Sequence, residues 1–257
     1  MTKRQRLTTI TLAALRFFGA CAFWVLVWFV CATLYGKPFL FPKPATVFKA
    51  FIALLKEPSL YQSIGNSLLH VLLALCIGAL VGILGGVAVA RSKIADALIS
   101  PAFSVMRAAP VVCFILLAWI FLGSEILPAF VASVMTAPVM LTATAGAIRE
   151  VDPRLLEVAR TYHLSFFKRL RAIYIPSVLP TVRMTLVTCI GLAWKSCIAT
   201  EMISLTQNTA GYEIWLSKTW YMDYPTMFAW TIIIVSISLL FEKVAKQLLT
   251  PKKRGAS

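Results

Sequence analysis

The sequence predicts an all-α, polytopic membrane protein with about six spanning helices. Three observations carry this. Of 257 residues, 60% are hydrophobic and only 14% charged, against about 45–50% and about 25% in soluble domains. Uncharged runs recur at the length that crosses a bilayer. The cations fall between those runs, which is the pattern that sets membrane topology. A formal net charge of +15 on a soluble protein would point to nucleic acid; here topology accounts for it, and no nucleic-acid partner is expected.

The first span is Phe17 to Gly36, twenty uncharged residues between Arg16 and Lys37. At 1.5 Å per residue it covers a hydrocarbon core of about 30 Å. It follows Lys3, Arg4 and Arg6 as a signal peptide would. It is too long for one and no small-residue cleavage site follows, so an uncleaved helix is expected. Pro42 and Pro44 end it. From Ala45 to Leu55 the apolar spacing suits an amphipathic helix at the interface. The second span, Ile64 to Ala90, carries Gly78, Gly82 and Gly86. Glycines four apart share one face and admit a close backbone neighbour, which is read as packing within the chain. His70, in the outer third of this span, reads as a packed polar residue.

The third span, Ala97 to Leu122, contains Arg107-Ala-Ala-Pro110. Pro110 removes a helical hydrogen bond, so a kink or break is expected there. Ile126 to Ile148 is the fourth span, Ser177 to Thr200 the fifth and Thr226 to Phe241 the sixth, a short run for which an earlier start in the Trp220–Tyr224 aromatic girdle is the alternative. With the N-terminus in the cytoplasm, seventeen Lys and Arg fall on the cytoplasmic side and five outside. Arg107, Arg183 and Lys195 lie within spans. That asymmetry places both ends inside. The six cysteines all lie in apolar runs without a Cys-x-x-Cys pair and read as small hydrophobes. No repeat of 20–50 residues is visible.

The longest polar stretch, residues 149–176, reads as a folded cytoplasmic loop. Asp152 suits a helix cap and Pro153 the first helical position. Leu155, Leu156 and Ala159 give that helix an apolar side. After His163 a second amphipathic run follows, with Leu164, Phe166, Phe167 and Leu170 among Lys168, Arg169 and Arg171. Two short helices joined by a bend suit docking onto a cytoplasmic partner.

This loop resembles the EAA loop of bacterial ABC importer permeases: Glu-Ala-Ala, three residues, Gly, nine residues, Ile-x-Leu-Pro. Here Glu157-Val158-Ala159, His163 and Ile173-Tyr174-Ile175-Pro176 keep that spacing. Asp152-Pro153-Arg154-Leu155-Leu156, Arg107-Ala-Ala-Pro110, Ala193-Trp194 and Ala199-Thr200-Glu201-Met202 are also similar to the nitrate/sulfonate/taurine type, over roughly Pro42 to Leu249. Val158 and Ile175 are mild departures. His163 stands where the family has glycine, and histidine tolerates positive φ better than most residues.

The resemblance implies a type I ABC importer transmembrane domain at 60–245, after an N-terminal segment 1–59 and before a basic cytoplasmic tail 246–257, in a bacterial inner membrane. It implies a coupling helix that seats on a cytoplasmic ABC ATPase dimer through Glu157, Ala159, His163, Ile173 and Pro176. It also implies a second permease copy forming a homodimer, and an extracytoplasmic substrate-binding protein. Nitrate, a sulfonate, taurine or a vitamin precursor are the substrates it suggests. The chain has no G-x-x-x-x-G-K-[ST] loop, so it is expected to hold no cofactor and to be non-catalytic, with ATP and Mg bound by the partner. Lys195, Arg107 and Glu201 are the candidate translocation-path residues. For Lys195, snorkelling or pairing with Glu201 or Glu125 are alternatives. Arg183 reads as a snorkelling residue. A secondary transporter would need repeats and paired broken helices; a membrane enzyme would need a catalytic cluster that two distant histidines do not provide.

Overall fold

The computed structural model describes residues 3–249, which form α-helices and connecting turns with no strand among them. The basic tail expected at 246–257 therefore lies mostly outside the described residues. In chain order the helices are α1 (Lys3–Tyr35), α2 (Pro44–Leu54), α3 (Pro58–Arg91), α4 (Lys93–Ala108), α5 (Val111–Trp119), α6 (Leu127–Arg149), α7 (Pro153–Thr161), α8 (Phe166–Arg169), α9 (Ile175–Ser204), α10 (Ala210–Trp215) and α11 (Tyr224–Leu249).

Close packing of α3, α6 and α9 makes the centre of the molecule. The glycine stripe of α3 is what allows it. A Cβ on Gly82 would sit 2.7 Å from Ala137 O and 3.0 Å from Leu141 N; one on Gly86 would sit 2.8 Å from Leu141 O. Both contacts are with the backbone of α6, so the stripe serves packing within the chain, as the spacing predicts. Around this contact lie Val71, Ala74, Met140, Cys189, Ala193 and Trp194, all buried. Helix α1 stands at the margin. It touches the rest through Trp28 stacked on Phe228 at 5.9 Å, while Trp24, Leu26 and Phe29 stay exposed to a lipid-facing or chain-facing side. Cys21, Cys31, Cys76 and Cys113 are likewise exposed, and only Cys189 and Cys197 are the buried small hydrophobes expected of all six.

The third span breaks where Pro110 predicts, while the fifth and sixth are longer than expected. The third is two helices, α4 and α5, meeting at 104°. Ala109 and Pro110 are both extended (ψ 139° and 134°), because a residue before proline is driven from the helical region and proline offers no N–H. Five helices are thus long and apolar enough to cross a membrane, or six if this bent pair is one span. The fifth is much longer than expected: helix runs without interruption from Phe166 to Ser204. Pro176 does not begin a new helix. The turn before it, Leu170–Tyr174, is π-helical, with Ile175 N donating to Leu170 O, and this wider turn accommodates the missing N–H. The sixth, α11, begins at Tyr224 inside the aromatic girdle and reaches Leu249. Helix α10, in the outer connection, has no counterpart in the sequence reading.

Candidate functional site

The loop between α6 and α9 folds as an elbow. Asp152 Oδ1 accepts from Arg154 N at 2.9 Å and caps α7, with Pro153 in its first turn. Helix α7 ends at His163, whose φ is +48°. His163 N donates to Arg160 O at 3.0 Å and Leu164 N to Ala159 O at 2.9 Å. This pair of bonds, with a left-handed residue between, is a Schellman stop. Histidine thus occupies the left-handed position that the loop needs. Behind the turn, Ala159, Ile173 and Val151 form a small core with Leu156, Leu164 and Tyr174.

The expected coupling residues therefore divide. Glu157 and His163 are exposed, beside a run of exposed apolar side chains: Leu155, Val158, Tyr162 and Phe167. Ala159 and Ile173 are 1% and 7% exposed; they set the angle of the elbow from within and present nothing to a partner. Pro176 is exposed on the helix that leads into the membrane. Arg91, the last residue of α3, lies over the rings of Phe166 (5.0 Å) and Tyr174 (5.7 Å), tying the elbow to the bundle. Arg149 donates to Val89 O at 3.2 Å and pairs with Asp96 at 2.9 Å, joining α3, α4 and α6 at the same level. The hydrogen bond from Ser100, then Arg149, holds the Asp96 carboxyl below the usual carboxylate range. Arg91, Asp96 and Arg149 were not singled out by the sequence, since each partner is distant in the chain.

At the outer end a second polar assembly surrounds Glu201, which is 0% exposed. Ser67 Oγ donates to its Oε2 at 2.8 Å and Gly211 N at 3.1 Å. His70 Nδ1 lies 2.9 Å from its Oε1. Ser67 Oγ also accepts from Ala210 N at 3.0 Å. One carboxylate thus binds α3, α9 and the start of α10. Gly211 permits this: a Cβ there would lie 2.7 Å from Ile198 O. Asn66 Nδ2 donates to Asn208 O, and Thr206 Oγ1 to Ser124 O, both at 2.8 Å. Glu201, expected beside the path or paired with Lys195, is enclosed within the chain and paired with His70 instead. The reason is the length of α9: it continues to Ser204, so Glu201 faces the α3–α10 side rather than ending a span.

Lys195 is exposed and has no ion-pair partner within 4 Å among the described residues. It lies nine residues below the end of α9, about 13 Å deep, twice the depth expected. It lines a groove between α9 and α11 of about 450 Å³, with Gly191, Trp194, Ser238 and Glu242. Arg107 is exposed in the last turn of α4, just before the right-angle break. The structure brings neither Arg107 nor Glu201 to the Lys195 groove. Among the described residues no group of three or more His, Cys, Asp and Glu is placed to hold a metal.

The sequence matches the family of binding-protein-dependent transport system inner membrane components over residues 78–254, more than half of the chain. It belongs to that family. Among similar proteins, the taurine transport system permease protein of Escherichia coli K12 is 26% identical, over 91% of this chain and 88% of its own. An aliphatic sulfonates transport permease protein of Bacillus subtilis 168 is 23% identical, over 80% and 75%. The crystal structure of a bacterial ABC transporter for alginate import shares the fold at a TM-score of 0.65, with 17% identity, over 96% of this chain and 98% of that one. The chain is accordingly a multi-pass permease subunit of an ABC importer, and the alternative of a secondary transporter without an ATPase partner is not favoured. For such an inner membrane component, the elbow, the buried Glu201 hub and the Lys195 groove occupy three levels of one long helix.

Proposed function

We propose that two copies of this chain enclose a translocation path for a small anion, driven by an ABC ATPase dimer bound at the elbow and supplied by an extracytoplasmic binding protein. Both termini are then cytoplasmic. The observation that carries this reading is the continuity of helix from Phe166 to Ser204. At 1.5 Å per residue it is about 58 Å long, nearly twice the hydrocarbon core, so its inner part projects from the membrane. An exposed apolar face at Leu155, Val158, Tyr162 and Phe167 is what a docking surface on a soluble partner requires.

The mechanism follows from stiffness. Helix α7 is fixed to α8 by the Schellman stop and the Ala159–Ile173 core. A partner that displaces α7 therefore moves the elbow as one body. The displacement passes along α9, about 43 Å from Phe166 to Lys195. Glu157, exposed on α7, supplies a charged contact that orients docking, since charge at an interface fixes register and partner choice. Lys195 supplies a cation inside the membrane, a costly placement that commonly serves a polar path. The relatives named for taurine and aliphatic sulfonates support a small organic sulfonate as substrate. ATP and its metal stay on the partner.

Glu157→Lys tests the reading. The variant is expected to insert and fold normally, yet to lose substrate uptake and the stimulation of ATP hydrolysis by loaded binding protein. Uptake at the unaltered level would count decisively against coupling through this loop.

A further inference from the structure

Where α3 and α9 part at the end nearest the elbow, an apolar wedge of about 230 Å³ opens between them, with α6 as its floor. Its walls include Ile83, Val87, Ile148 and Val178. Besides the Tyr174 hydroxyl, two polar groups line it. Arg91 stands at the mouth, exposed, its guanidinium over the faces of Phe166 and Tyr174. These ring contacts engage no N–H of the guanidinium in a salt bridge, and its planar fork of donors suits a phosphate. Thr144 is on the floor, 1% exposed, and its Oγ1 has no hydrogen-bond partner. A buried hydroxyl left unpaired is costly, and most threonines of these helices avoid this by donating to a carbonyl four residues back, as Thr185 and Thr200 do.

Thr144 packs at the level of Gly86, five residues before Arg91 on α3, about 7.5 Å further along the helix axis. The cation stands toward the elbow and the hydroxyl further in, the order in which a glycerophospholipid presents its phosphate and its ester carbonyls. The wedge also continues an outward apolar stripe on α3, Ile77, Leu80 and Leu84, all exposed, which in a bilayer meets acyl chains. Basic pockets between helices at the cytoplasmic face suit anionic headgroups.

We propose that this wedge binds one anionic glycerophospholipid of the cytoplasmic leaflet: phosphate on Arg91, ester carbonyl on the Thr144 hydroxyl, and acyl chain against Val87, Ile148 and Val178. Leu170, Tyr174 and Ile175 also line it, so the lipid contacts the π-helical turn through which the elbow moves α9. The site rests on the proposed orientation with the elbow in the cytoplasm, and its test does not depend on transport.

The assay is native mass spectrometry of the complex, released from nanodiscs of phosphatidylcholine with added phosphatidylglycerol. Wild-type protein is expected to retain one phosphatidylglycerol per copy of this chain. Arg91→Gln removes a charge-assisted contact and is expected to lower retention at least about tenfold. Val87→Phe, which fills the wedge and leaves Arg91 in place, is expected to lower it similarly. Thr144→Val, nearly isosteric, is expected to lower it a few-fold. Equal retention of phosphatidylcholine, or retention unchanged in both Arg91→Gln and Val87→Phe, would overturn the proposal. Loss of uptake in Glu157→Lys with lipid retention intact separates this site from the coupling reading.

Discussion

Glu201→Ala is the perturbation with the most determinate consequence. The carboxylate is fully buried and receives Ser67 Oγ, Gly211 N and His70 Nδ1 within 2.8–3.1 Å. Alanine leaves the two buried donors, Ser67 Oγ and Gly211 N, without this acceptor. A buried donor left unsatisfied costs about 1–3 kcal/mol, about 2–6 kcal/mol for the two, which for a chain of this size lowers the unfolding midpoint by about 4–24 °C. Glu201→Gln is the informative contrast. Its carbonyl still accepts from Gly211 and Ser67, and its amide can donate to His70 in the other tautomer, so most of that loss is avoided. The assay is thermal unfolding in detergent followed by fluorescence-detected gel filtration, with binding-protein-stimulated ATP hydrolysis measured on the same samples. Equal midpoints for alanine and glutamine, or a shift under about 2 °C for alanine, would refute the view that this carboxylate holds α3, α9 and α10 together.

Three further outcomes are expected. Gly82→Ala forces a Cβ against the α6 backbone at Ala137 and Leu141 and should destabilise by about 1–3 kcal/mol, while Gly65→Ala, with nothing within 4 Å, should not; unfolding midpoints compare them. His163→Gly should relieve a left-handed non-glycine residue worth about 1–2 kcal/mol and keep the ATPase bound, whereas His163→Val, β-branched at positive φ, should weaken ATPase co-purification. Burial raises the Glu213 carboxyl above its usual range, partly opposed by a hydrogen bond from Ser63. Its folded form therefore favours the proton, so stability is full at acid pH and falls as pH rises from the ordinary to the raised value; Glu213→Gln should abolish that slope in midpoints measured against pH.

The spans, the loop and its turn are legible in the sequence because each is written locally. Uncharged length gives the spans, Asp152-Pro153 gives the start of α7, and the spacing from Glu157 through His163 to Pro176 gives the elbow. Gly78, Gly82 and Gly86 announce a close contact because no side chain intervenes. Other features depend on residues far apart. Glu201 reads as a path residue until Ser67, His70 and Gly211 are seen to enclose it. The right angle at Ala109–Pro110 follows from proline, but its size is set by packing on α3 and α6. Nothing local reveals that a π-helical turn at Leu170–Tyr174 carries the helix past Pro176. The fifth span reads as ending at Thr200 because the actual end of α9 is a left-handed Leu205, a residue with no turn signature, and Lys195 consequently lies deeper than that span implies.

These positions together suggest where the molecule can move. The α3–α6 contact is a glycine weld with backbone against backbone, so those two helices travel as one body. Helix α9 packs along α6 through Cys189, Ala193, Trp194 and Cys197, is tied to α3 and α10 by Glu201 near one end, and meets Arg91 of α3 through Tyr174 at the other. The π-helical turn Leu170–Tyr174 lies between the elbow and α9 and ends at Tyr174; its wider loop is more readily altered than α-helix. A load applied at α7 therefore meets a stiff elbow, then this one compliant turn, then a stiff rod.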